Sequence, residues 1–488
     1  MIEEQLKIHD KYSIELKLGY RARRKINKNN FAVNCWIFVP SALDITRQTY
    51  TKQDFYRDLK TNIRLITPVY LLRDIAQGEN SPLAFLKEAF SNMASRPTRQ
   101  NAAAYEYHIK MFLSIVKSAI REEIRHILEE KLPEDTGNLI EAFCTNCSNI
   151  VARYRELRHI INAPTLSEEQ LNYYRFGDEF LSNIVENHLF KLIEGLKNLK
   201  GDIPKAWQKK ILGLAKAEIQ YKREKGYPVI EKNAKHKSRD LVFRFTLLKK
   251  FAESELFLTG HKKRDAVFIE QIYLSLAAGL SMIFATAVAF SFQQKYGNFT
   301  MPLFVALVVS YMLKDRLKEL GRYYFAHKLG SRLFDHKTKI TLGDTYIGYS
   351  KEAMDFIPDE KIPDPIHRIR DRSPILEANN RYDTEKIILM RRRIRVFRKN
   401  LDQSGPYFHN GIHEIIRLNV SSFLSKMDNP VVPLYVPDED KGYDIIRADR
   451  MYYINLILEL RNQDGTQYKR YRLVLNRKGI ADVEEYNP

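Results

Sequence analysis

The sequence predicts an α+β membrane protein. A transmembrane helical hairpin is flanked by a cytoplasmic helical bundle and by a mixed, strand-rich β domain formed from both chain ends. Three observations predict it. Two apolar runs without a charge, Ile272–Phe292 and Phe299–Leu313, are separated only by Gln293-Gln294-Lys295-Tyr296-Gly297-Asn298. Before them, apolar residues recur with the period of a helix; at the two chain ends they alternate with polar ones, as in half-buried strands.

In order, Ile14, Leu16 and Leu18, then Phe31, Val33, Cys35, Ile37 and Val39, predict two strands within residues 12–40, the second closed by Pro40. Tyr50 to Leu72 reads as a short helix and an extended piece ending near Pro68. Ile109, Phe112, Val116, Ile120, Ile124 and Ile127 make one face of a helix from about Arg99 to Lys131, stopped by Pro133. A second helix fits Asn138–Ile161. Ser167-Glu168-Glu169-Gln170 is a capping box that opens a third. Pro204 suits the first residue of a fourth, which ends before Gly226. A basic linker containing Lys222, Lys225 and Lys232 precedes a further helix, Ser238–Leu258.

The run Ile272–Phe292 is long enough for a hydrocarbon core of about 30 Å, which needs about 20 apolar residues. The second run is short, and Lys314, Arg316 and Lys318 complete it by snorkelling to the interface. Lys262, Lys263 and Arg264 precede the first run; Arg322 and Lys328 also follow the second. Cationic residues concentrate on the cytoplasmic side, so the expectation is a two-span protein of the cytoplasmic (inner) membrane with both termini cytoplasmic. Met1-Ile2-Glu3-Glu4-Gln5 lacks the pattern of a signal peptide, and the hairpin is expected to direct insertion itself.

After Gly343 the pattern is strand-rich, interrupted by a loop-like stretch, Pro358–Arg381, with prolines at 358, 363, 365 and 374. Tyr452, Ile454, Leu456, Leu458 and Leu460 alternate, Asp464-Gly465 turns the chain, and Tyr471, Leu473 and Leu475 return. A further turn at Asn476-Arg477-Lys478-Gly479 leads to Ile480 and Val483. The implied segments are 1–78, pairing with the C-terminal strands; 79–264, the bundle and basic linker; 265–328, the hairpin and juxtamembrane helix; and 329–488, the C-terminal β domain.

A chain of 488 residues exceeds one hydrophobic core, and a net charge of +19 calls for an anionic partner. The anionic inner leaflet of a lipid bilayer is the first candidate and nucleic acid the rival. The contact residues expected are Lys262, Lys263, Arg264, Lys314, Arg316, Lys318 and the run containing Arg391, Arg392, Arg393 and Arg395. That run reads as a strand face turned to lipid or to an acidic partner. Ala277, Ser281, Ala285 and Ala289 form a small-residue stripe that packs on Ala306 and Ser310 or on another copy of the chain.

The three cysteines, Cys35, Cys144 and Cys147, are too few for a disulfide framework, and Cys144-Thr145-Asn146-Cys147 is only half a zinc site. His409, His413 and Glu414 are the one catalytic or metal-binding candidate, with acidic residues 438–444 as distant helpers. The turn-favouring Asn410-Gly411 between them points to a polar loop instead. Nucleotide-binding, serine-hydrolase and zinc-protease signatures are missing. No metal or cofactor is therefore expected. The leading expectation is a membrane-anchored cytoplasmic interaction platform, a scaffold or regulatory subunit without catalytic activity, bound to a protein partner or to itself. A homo-oligomeric membrane effector or channel ranks second, and a membrane-bound metal-dependent hydrolase or nuclease third.

Overall fold

The computed structural model describes residues 1–130, 132–162, 167–200, 204–231, 235–265, 267–324, 333–372, 385–403 and 405–486. Strands β1 (Ile2–Asp10), β2 (Ser13–Arg21) and β3 (Lys28–Pro40) are followed by helix α1 (Lys52–Asp58) and β4 (Leu59–Leu65). Helices α2 (Pro82–Ser95), α3 (Arg99–Glu129), α4 (Pro133–Glu156), α5 (Arg158–Ile161), α6 (Glu168–Lys200), α7 (Lys205–Glu224) and α8 (Lys235–Glu253) come next. Strand β5 (Thr259–Arg264) leads to α9 (Val267–Tyr296) and α10 (Met301–Tyr324). Then come β6 (His336–Leu342), β7 (Thr345–Ile357), α11 (Asp364–Arg370), β8 (Glu385–Phe397), β9 (Gly411–Asn419), β10 (Val431–Asp438) and β11 (Gly442–Asp449). The chain closes with β12 (Tyr452–Arg461), β13 (Thr466–Asn476) and β14 (Gly479–Tyr486). The fold is α+β. Lys131, Lys232, Lys328 and residues 373–384, which take in the end of the proline-rich stretch, lie outside the described residues.

Two compact units form. A β-rich unit comprises Met1–Arg64, Leu258–Pro406 and Gly411–Pro488; a helical unit comprises Leu65–Phe257 and Tyr407–Asn410.

In the β-rich unit an eight-stranded sheet runs β14-β13-β12-β3-β8-β7-β6-β5, and a four-stranded sheet runs β1-β2-β9-β4. Strands from the two chain ends meet in the larger sheet, where Ile37 of β3 stands opposite Leu456 of β12 on one side and Ile388 of β8 on the other. The period of two explains the core between the sheets. Cys35, Ile37, Met390 and Leu458 face Leu16 and Ile416 of the smaller sheet around a small apolar cavity of about 30 Å³. On the opposite face of the larger sheet Trp36, Phe38, Leu389 and Ile457 pack on Ile366 of α11. Strand β1 goes beyond the sequence expectation, because only Ile2 of it is buried and its remaining pattern is that of a charged edge.

In the helical unit, the long helices α3 and α6 carry the core. Thr98 caps α3 by accepting a hydrogen bond from the Asn101 N–H at 3.2 Å, and Ser81 caps α2 in the same way from Ala84 at 3.1 Å. Ile109, Phe112, Val116, Ile120 and Ile127 line the buried face of α3. The rings of Phe112, Tyr154 and Tyr174 stack in series, and Tyr154 lies so close to Gly177 that any side chain there would displace it. Two proline roles differ from expectation. Pro133 is the first residue of α4, and Pro204 is the N-cap of α7 rather than its first residue; both start helices because the missing N–H is not needed there.

Candidate functional site

Helices α9 and α10 form an antiparallel pair. By length and composition α9 is the one described helix able to cross a membrane, and only 6 % of its most apolar window is buried. Helix α10 falls short of that measure because Lys314, Asp315, Arg316, Lys318, Glu319 and Arg322 occupy its second half. Its uncharged stretch ends at Leu313. The two helices touch through small residues: Ser281 of α9 and Ala306 and Ser310 of α10 are buried, while Ala277, Ala285 and Ala289 are half-buried. A Cβ on Gly321 would lie 2.7 Å from that of Ala277, so the charged half of α10 runs close beside the first half of α9. Leu280, Ile283 and Phe290 are each about two-thirds exposed.

Strand β5 ends two residues before α9. In register across four strands, Lys263 stands opposite Lys337, Lys337 opposite Lys351, and Lys351 opposite Arg393. The next outward row reads His261, Lys339, Tyr349 and Arg395. Adjacent strands are about 4.8 Å apart, and like charges directly opposite one another destabilise a sheet. Aromatic rings offset part of that repulsion. Phe334 lies under Arg391 and Arg393 at 5.6 and 5.3 Å, and Tyr349 under Lys337 and Arg395 at 4.8 and 5.4 Å. Lys351 pairs with Asp265 at 2.7 Å and Arg391 with Asp355 at 2.8 Å. Among the described residues, Lys263, Lys337, Lys339 and Arg393 have no carboxylate partner.

Arg392 does not belong to this face, which corrects the expectation that the whole arginine run is a contact surface. Alternation turns it inward with Ile394 and Val396, and it is buried. Its Nη2 donates to Oε1 of Glu414 at 2.6 Å, and Nη1 lies 3.1 Å from Glu352. Tyr20 donates its hydroxyl hydrogen to the other Glu414 oxygen at 3.0 Å. Lys262, expected on the contact surface, also turns to Glu352, which His336 approaches at 3.7 Å. Arg264 remains exposed near Glu270 at 3.8 Å. Burial works against ionisation of Glu352, but Arg392 and Lys262 outweigh it and hold its carboxyl below the usual range. Burial, reinforced by Glu414, pushes the Tyr20 phenol well up.

The residues of the histidine–carboxylate candidate are divided between the two units. His409 is buried in the helical unit, its Nδ1 3.1 Å from the Ile66 carbonyl oxygen. His413 and Glu414 lie in β9 of the other unit, on opposite faces of the strand. Among the described residues no group of three His, Cys, Asp or Glu side chains could hold a metal ion. Cys144 and Cys147 are buried thiols of α4; burial pushes Cys144 up to about 11 and Cys147 well above its ordinary value. Residues 438–444 form the tip of the β10–β11 ribbon.

Two features escape sequence reasoning. A second buried polar cluster sits in the helical unit, where Arg155 pairs with Asp178 at 3.2 Å and with Glu218 at 2.7 Å, and Lys222 pairs with Glu186. The ribbon β10–β11 exposes Leu434, Tyr435, Tyr443, Ile445 and Ile446. The chain matches no family model, no curated protein and no solved structure.

Proposed function

We propose that this protein is a membrane-anchored interaction platform without catalytic activity of its own, held by the α9–α10 hairpin with both termini on the cytoplasmic side. The observation that carries the reading is the exposure of α9. A core helix of a water-soluble fold is mostly buried, whereas almost none of the apolar window of α9 is. In water such a surface far exceeds the apolar patches that monomers tolerate; in hydrocarbon it is matched. The cations flanking the pair agree with a cytoplasmic orientation. Small residues buried between α9 and α10 serve packing within the hairpin, which favours an anchor over a pore-lining subunit.

The ribbon β10–β11 supplies the recognition element of the platform. A two-stranded ribbon is marginally stable alone, and this one keeps apolar side chains exposed on both faces. Its tip is acidic, with Asp438, Glu439, Asp440 and Asp444. The partner that fits is a protein with an apolar surface bordered by basic residues. Extraction in mild detergent and measurement of native mass test this reading. A second protein at fixed ratio supports the platform; a pure homo-oligomer that leaks ions from liposomes replaces it with the effector reading.

A further inference from the structure

We propose that the outward row Lys263, Lys337, Lys351 and Arg393 is a docking surface for the anionic phospholipid headgroups of the leaflet in which the hairpin is rooted. The inference rests on the membrane-anchor reading and adds a ligand class to it. Four cations stand side by side on four neighbouring strands. Within the described residues only Lys351 finds a carboxylate, Asp265. Such a row repels itself, and an array of phosphates laid across it removes that repulsion.

Position selects lipid as the source of the phosphates. Lys263 is the penultimate residue of β5, and the chain reaches α9 at Val267. Four residues of extended chain span at most about 14 Å. Lys263 therefore stays close to the plane where α9 would leave the hydrocarbon, and Lys337, Lys351 and Arg393 follow it at about 4.8 Å per strand; beside an anionic leaflet each Lys or Arg gains about fivefold in attraction. Nucleic acid fits less well. Single strands bind through free aromatic platforms, and here Phe334 and Tyr349 already lie under cations of their own sheet.

The test uses the full-length protein in uncharged detergent micelles doped with phosphatidylglycerol or phosphatidylcholine, with retained lipid counted by native mass spectrometry. Wild type is expected to retain phosphatidylglycerol about a hundredfold over phosphatidylcholine, with the preference falling about fivefold for each charge removed in K263Q, K337Q and R393Q. The charge-preserving K263R/K337R variant keeps the preference. Equal retention of the two lipids by wild type overturns the proposal, as does an undiminished preference in the triple glutamine variant. So does binding of a single-stranded oligonucleotide in preference to phosphatidylglycerol. Alkaline carbonate separates the two readings: release of wild type from membranes defeats the anchor itself, whereas equal lipid retention by carbonate-resistant protein defeats only the docking surface.

Discussion

Glu414 of β9 accepts, through Oε1, a 2.6 Å hydrogen bond from Nη2 of Arg392 on β8, and the contact joins the two sheets through an apolar core. Removing one partner of a buried charge pair leaves the other uncompensated, at a cost of about 3–5 kcal/mol. Arg392→Met is expected to lose stability by that amount in urea unfolding. Adding Glu414→Leu in the same chain recovers part of the loss. Two single losses that simply add in the double variant would contradict direct coupling.

Acid acts on both units with the same sign. Burial pushes His108 and His188 down to about 4, so the fold holds their neutral forms. Their contribution to stability is complete above the unfolded value of about 6.5 and is lost as pH falls through about 4. Glu352, held below its ordinary 4.5, contributes above that value and loses the contribution below it. The thermal midpoint is expected to fall from pH 6.5 to pH 4, and His108→Gln to flatten that fall. A midpoint rising with acid would contradict the burial of these groups.

Within the hairpin, Gly321 has no room for a side chain against Ala277, whereas Gly279 faces open space. Gly321→Leu is expected to separate α9 from α10, lowering the thermal midpoint and exposing α9 to protease in detergent. Gly279→Leu should change neither. Equal effects from both would place the close contact elsewhere.

How much of this was legible in the residues depends on where each signal resides. The helix Arg99–Glu129 announces itself through Ile109, Phe112, Val116, Ile120, Ile124 and Ile127, which recur at the helical period, although the turns from Ile109 to Val116 are buried all round. The hairpin β12–β13 shows in its alternation and its Asp464-Gly465 turn. The inward turn of Arg392 was readable too, since Ile394 and Val396 mark the buried phase of the same strand. The row Lys263, Lys337, Lys351 and Arg393 was not, because four separate segments supply it and only the sheet register aligns them. The ribbon β10–β11 was hidden for a different reason: neither face is buried, so no alternation marks it.

If the ribbon recruits a partner, Leu434→Asp and Ile446→Asp should abolish co-purification of that protein. These residues stand opposite one another and are about half exposed, so the thermal midpoint is expected to stay unchanged. Retention of the partner at unchanged ratio would remove the ribbon from the interface.

The anchoring of the chain is tested most directly by the side of the membrane on which each turn lies. The native cysteines are buried, so single cysteines placed at Asn298, between α9 and α10, and at Gln463, between β12 and β13, report separately. In sealed vesicles of one orientation, a membrane-impermeant maleimide is expected to label Gln463→Cys from the cytoplasmic side and Asn298→Cys only from the opposite side. Labelling of both from the same side would contradict a hairpin that spans the bilayer.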